Sequence, residues 1–374
     1  MDTDGSEMPA LDEREACFNY GYYMRCECGR NSYISADDYQ ANSCWSPAGS
    51  RSMSSVDAHM PCNHCDKSIH FGPGATTLRD QNDRALDSAQ ISQLAWYHTC
   101  TDSNWPSTTY ADNRMAKLLA DPIWSSQADN TNVDIKRLPD KALHVGTYEA
   151  AIENMLRRMS DQDDGAAQFY LHRVALSIDP DRVNARYRDE NHEAAAQLTA
   201  ADLHDAGFVA IRYINVRESA GSLSLALLPE AISCVQTIPL PAAAAAVTLK
   251  DPLLALLKQT QGQLDDLAAA APDTSPFSSN QLGMMQLTGD EHDGLWSGIM
   301  TALIQHHLVN ISPVIQEQFE DAMNAWLHAK EAPTVRQFAD FFEANAAALT
   351  HSTAVKGLFA TRKPRVITNG MSTQ

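Results

Sequence analysis

Leu143-His144-Val145-Gly146-Thr147 runs straight into Tyr148-Glu149-Ala150-Ala151-Ile152-Glu153-Asn154-Met155-Leu156-Arg157-Arg158-Met159, and the fold is read outward from this stretch. A short apolar start is followed by Tyr148, Ala151, Ile152, Met155, Leu156 and Met159 at spacings of three and four, which is one face of an amphipathic helix. Thr147 stands where a hydroxyl caps a first turn, and Asp161 and Gly165 lie beyond the last one. Downstream, the pattern predicts a strand over 168–178, a polar stretch, and two closely spaced strands over 207–216 and 222–228. A helix among strands of this kind is an α+β arrangement.

On the N-terminal side, 90–113 carries Ala95-Trp96-Tyr97-His98-Thr99 and then Asn104-Trp105-Pro106, a strand followed by a structured loop. Residues 1–90 are rich in Ser, Asn, Asp and Gly without sustained periodicity, so something other than a large core must order them. On the C-terminal side, Ile238-Pro239-Leu240-Pro241 and five alanines mark a boundary. Beyond it, 252–270, 291–309, 313–329 and 334–349 read as helices of a small bundle, with Trp296, Leu303, Trp326, Phe338, Phe341 and Phe342 as its core and a surface open to a protein partner. The last dozen residues are expected to fray. A chain of 374 residues exceeds one ordinary core, and three units follow: 1–90, 91–240 and 250–360.

Composition narrows the function classes. Apolar residues make up 44% and charged residues 20%, as in an ordinary globular protein. The net charge of -19, with no basic run before Arg362-Lys363-Pro364-Arg365, argues against a nucleic-acid polymer as partner, though not against a single nucleotide. An acidic start without an apolar stretch, and no apolar run of about eighteen residues, predict a cytoplasmic protein that does not enter membranes.

Six of the eight cysteines fall within the first 65 residues. Cys26-Glu27-Cys28 and Cys62-Asn63-His64-Cys65 pair a C-x-C with a C-x-x-C, and four thiolates on two tight turns suit tetrahedral Zn²⁺, which would replace the missing apolar core. Gly29 permits the first turn; Cys44, His59, His64 and His70 are alternative ligands. A closed four-sulfur site leaves no position for water, so the expected role is structural.

The H-x-G-T of His144 to Thr147 opening onto a helix resembles the element that begins many ADP-ribosyltransferase-like folds. Tyr213-Ile214-Asn215-Val216-Arg217-Glu218, followed by Gly221-Ser222-Leu223-Ser224-Leu225 and later by Pro229 and Ile232, resembles their closing strands, with a Tyr-x-Asn-x-x-Glu pattern. Residues 168–176 resemble the central strand. The resemblance covers roughly 130–237 and implies a split mixed β core that binds NAD. The branch with a His, a Tyr and a Glu would correspond here to His144, Tyr170 and Glu218, with Tyr148 as the alternative aromatic platform for nicotinamide. Gly146, Thr147, Tyr148, Tyr213, Asn215 and Ser222 would line the cofactor, and His98 is a second candidate for the ribose-binding histidine. Glu218 lacks an E-x-E or Q-x-E pairing, which speaks against the arginine-directed toxin type.

These residue types fit the chemistry implied. Breaking the nicotinamide bond develops positive charge on the ribose, which a carboxylate stabilises while an aromatic face holds the leaving group. Arg173 or Arg212 would meet the pyrophosphate. The reading is thus a mono-ADP-ribosyltransferase, a toxin or phage-host conflict factor, whose macromolecular acceptor is a protein sooner than a nucleic acid. The alternative is an inactive zinc-stabilised module that binds a nucleotide or protein in the same cleft. A metal-dependent hydrolase built on His64, His70 or His306-His307 is disfavoured, because neighbours on a helix diverge by about a hundred degrees.

Overall fold

The computed structural model describes residues 8–42, 58–71, 76–107, 141–161, 164–189, 195–242, 251–270 and 279–367. Two small antiparallel hairpins come first: β1 (Tyr22–Arg25) with β2 (Asn31–Ile34), and, after helix α1 (Ala36–Asn42), β3 (Ala58–Pro61) with β4 (Ser68–Phe71). The centre of the chain supplies β5 (Trp96–Cys100), β6 (Leu143–Val145), α2 (Tyr148–Asp161), β7 (Phe169–Leu176), β8 (Arg188–Asp189) and α3 (Ala200–Asp205). It continues with β9 (Ala210–Ile214), β10 (Leu223–Leu227) and β11 (Ile232–Leu240). Helices α4 (Asp251–Ala270), α5 (Ser279–His307), α6 (Pro313–Ala329), α7 (Val335–Thr350) and α8 (Ser352–Gly357) follow, and β12 (Arg365–Val366) comes last.

The central strands form two four-stranded sheets, in the orders β12-β11-β7-β5 and β6-β10-β9-β8. All pairs are antiparallel except β8 with β9. The sheets are bridged where Tyr97 and Gly146 exchange both backbone hydrogen bonds at 2.9 Å.

Helix α2 explains how the parts are joined. Its apolar face is buried as its spacing requires, but so are Glu149, Glu153 and Arg158, whose side chains meet the Cys17 N–H, the Tyr20 hydroxyl and Asp164 respectively. One core runs from Phe18, Tyr20, Met24 and Ile34 through α2 into α5, α6 and α7; a second lies among the strands. Gly165 lets the turn after α2 approach α6, since a Cβ there would sit 2.8 Å from the Ala325 carbonyl oxygen. In the bundle, Trp296, Leu303, Phe338 and Phe342 are buried, and Trp326 stacks on Phe341 at 4.3 Å. Among the described residues, no helix is long and apolar enough to cross a membrane.

Two elements differ from the sequence expectation. The Ile-Pro-Leu boundary is the end of β11, the longest strand of the sheets. Pro239 is tolerated because β12 pairs only with Cys234 and Val235, so among the described residues no strand pairs with that side of β11 at Pro239. The tail does not fray as a whole: Arg365 and Val366 pair with β11, and the Arg365 guanidinium donates to the Asn104 and Trp105 carbonyls.

Candidate functional site

A pocket lies at the junction of β5 and β6, with an empty volume of about 380 Å³ that includes open solvent at its mouth. His144 and Gly146 come from β6 and the turn after it, His98 from β5, Tyr213 from β9, and Asn215 and Glu218 from the loop joining β9 to β10.

Both histidines are neutral at physiological pH. Burial pushes His144 down to about 4, with Lys141 adding to the effect, and pushes His98 well below its ordinary value, with His172 adding. The His144 Nδ1 lies 3.1 Å from the Tyr213 hydroxyl, and its Nε2 is buried with no hydrogen-bond partner among the described residues. His98 is held by stacking on Trp105, 4.1 Å between centroids, and its Nε2 is likewise buried without a hydrogen-bond partner among the described residues. A buried polar atom without a partner is costly, so two in one pocket point to groups that a ligand or water completes.

Glu218 provides the negative charge. Arg157 contacts its Oε1 through two nitrogens, at 2.7 and 2.6 Å, and Asn154 approaches the same oxygen at 3.4 Å. No hydrogen bond or ion pair to Oε2 is found among the described residues. The loop is a fixed turn: the Asn215 amide donates to the Ser222 and Ser224 hydroxyls at 2.9 and 2.7 Å, and the Gly221 N–H to the Asn215 carbonyl. Gly221 sits at φ +81, where a Cβ would lie 2.7 Å from the Thr77 carbonyl oxygen. Gly221→Ala is therefore expected to cost about 1–3 kcal/mol; an unchanged urea midpoint would contradict this.

The resemblance gave Gly146 the task of letting a ligand reach the backbone. In the structure its N–H and carbonyl are both taken by Tyr97, and the room left by its missing Cβ is filled by the Ser224 hydroxyl, 2.5 Å from where a Cβ would stand. Gly146 shapes the pocket wall.

The other expected residues are distributed as follows. Tyr170, on β7, does not line the pocket. Tyr148 is buried edge-on to Tyr97 and donates to the Ala348 carbonyl. Thr147 caps α2 by accepting from the Ala150 N–H at 3.1 Å, and Ser222 is buried behind Asn215. Arg212 is spent on the Ala85, Leu86 and Asn184 carbonyls, and Arg173 pairs with Glu13 at 2.8 Å, so neither reaches the pocket. His306 and His307 lie with ring planes at 88°. Asn154 and Arg157, whose signal is the polar side of α2, and Ser224, on the small polar alternation of β10, are site residues that the sequence reading lacks.

The four cysteines do come together. Cys26, Cys28, Cys62 and Cys65 place their sulfurs within 4.8 Å of one another, with Cys26 to Cys65 at 3.7 Å and Cys28 to Cys62 at 3.8 Å. Metal–sulfur bonds of about 2.3 Å in a tetrahedron require sulfur–sulfur edges of about 3.8 Å, so this cluster is able to hold a metal ion such as zinc. Each pair sits at the tip of a hairpin. Gly29 at φ +82 donates to the Cys26 carbonyl, Asp66 at φ 57 to that of Cys62, and the Cys28 and His64 N–H groups reach the sulfurs of Cys26 and Cys62. The His64 ring instead contacts the Asn31 carbonyl at 3.1 Å, tying the two hairpins together. Cys44 and the side chains of His59 and His70 lie outside the described residues. Compared with known proteins, the chain matches no family model, no curated protein and no solved structure.

Proposed function

We propose that the pocket binds NAD and that the chain is a mono-ADP-ribosyltransferase with a split β core, acting on a macromolecule and carrying a structural Zn²⁺ on Cys26, Cys28, Cys62 and Cys65. One observation carries the reading: His144 and Glu218, 74 residues apart in sequence, line the same pocket. The bond from ribose C1′ to the nicotinamide nitrogen breaks with its electron pair on the nitrogen, which neutralises the pyridinium. The acceptor's lone pair then forms the new bond to C1′ and its proton passes to water. Glu218 Oε2 accepts a ribose hydroxyl and stabilises the cationic carbon, and the unmet nitrogens of His144 and His98 meet further polar groups of the substrate.

A second reading is favoured by the Arg157 pair, which already neutralises Glu218: a catalytically idle module that holds the nucleotide without cleaving it. Incubation with NAD and a cell lysate separates the two. Nicotinamide release that falls by about 10²–10³ in Glu218→Gln supports the transferase. A rise in melting temperature with NAD left intact supports the idle module. Neither response, in a folded protein with metal bound, would sink both.

A further inference from the structure

The loop that carries Glu218 is tied at Ser219, Ala220 and Gly221 to a segment that leads back to the cysteine hairpins. Tyr23, on β1 three residues before Cys26, accepts from the Thr77 N–H at 2.8 Å and from its hydroxyl at 3.0 Å. Two residues on, the Arg79 N–H donates to the Gly221 carbonyl at 2.8 Å, and its guanidinium donates to the Ser219 hydroxyl at 3.0 Å and to the Ala220 carbonyl at 3.4 Å. The same guanidinium lies over the Tyr20 ring, 4.1 Å from its centre. Tyr20 and the Ser219 N–H both donate to Glu153 on α2, at 2.9 and 2.7 Å. Ser219, next to Glu218, has φ 47, a backbone conformation that a non-glycine residue keeps only when its surroundings enforce it.

We propose that the four-cysteine site positions Glu218: the metal fixes the β1–β2 hairpin, the hairpin fixes Thr77 and Arg79, and Arg79 closes the 215–222 loop against Glu153. Arg79 is a positioning residue, acting through Ser219 and Gly221. The consequence for catalysis rests on the reading of Glu218 given above; the coupling itself does not. Energetic coupling between two sites is reciprocal, so loosening the loop must also loosen the metal.

Two measurements without NAD test this on the full chain. The first is amide hydrogen exchange of zinc-loaded protein and of protein stripped by a chelator. Protection of the Ser219, Gly221 and Ser222 amides is expected to fall about tenfold on stripping while that of Leu225 in β10 holds. Unchanged protection at all three overturns the proposal, and so does a loss that spreads equally through β9 and β10. The second is the equilibrium competition for zinc between the protein and a chromogenic chelator. Arg79→Ala is expected to weaken zinc retention about tenfold. Ser219→Ala, which removes only one accepting hydroxyl, is expected to weaken it about threefold and serves if Arg79→Ala does not fold. Wild-type zinc affinity in a folded variant overturns the proposal. Since no nucleotide is present, failure here is distinct from failure of the transferase reading.

Discussion

Protein with Cys62 and Cys65 both replaced by serine is expected to lose about one bound metal ion per chain, to become protease-sensitive across the first two hairpins, and to melt about 10 °C lower. The hairpins are four residues per strand and cannot stand by themselves in water. What orders them is the closed sulfur cluster and a shared edge of the core through Met24, Ile34 and Ile69. Structural zinc supplies folding free energy directly, on the order of 10–16 kcal/mol, and about 8 kcal/mol of it would account for a shift of this size in a chain this large. Metal analysis with thermal melts of both proteins checks it. A wild type free of metal, with the same melting temperature as the variant, would rule out the cluster as a stabilising centre.

Stability is expected to fall steeply as the pH is lowered from about 6.5 towards 4. His172 is fully buried between the Thr237 hydroxyl at 2.9 Å and the Cys100 sulfur at 3.4 Å, and burial pushes it down to about 3, with Arg365 adding. His144 and His307 are each pushed down to about 4 by burial, and His98 is lowered well below its usual value. These groups bind protons in the unfolded chain before they do so in the folded one. Stability therefore rises with pH through this window and is lost as pH falls. Glu153 acts in the opposite sense: burial raises it to about 8, so it contributes stability at low pH that fades towards 8, and Glu320 and Glu343, also raised by burial, act in the same sense. Four imidazoles outweigh these carboxyls below 6.5, whereas above it the carboxyls alone remain, placing the optimum near 6.5. For His172 alone the change is on the order of 3 kcal/mol at about 1.4 kcal/mol per pH unit. Urea midpoints across pH 4–8 should show the dome, and His172→Gln should flatten its acid limb. A wild-type midpoint that stays level from 7 to 4.5 would sink the argument.

How far the sequence could be read depended on range. Local periodicity was enough for α2, β6, β9 and β10, and for α6, whose bounds 313–329 are those its spacing predicts. The cysteine pairs were legible because close spacing on a tight turn is itself a local constraint. Pro239 hid β11, because a proline is admissible in a strand only when the neighbouring edge is bare, and that depends on where β12 ends. The burial of Glu149, Glu153 and Arg158 was hidden too, since their partners Cys17, Tyr20 and Asp164 are not implied by helical spacing. In the pocket, His144, Gly146, Tyr213, Asn215 and Glu218 were singled out by motif order and stand together. Tyr170, Tyr148 and Thr147 were singled out on the same grounds, but register and capping take their side chains elsewhere.

The short final strand has a consequence for biosynthesis. Val366 and Arg365 lie beside Cys234 and Val235, and the Gln236 amide donates to the Phe359 and Arg362 carbonyls, so this flank of the sheet cannot close until more than a hundred further residues have left the ribosome. During that interval β11 presents an open ladder to the crowded cell, and the helices made in between must return the chain to it before a neighbouring nascent polypeptide does.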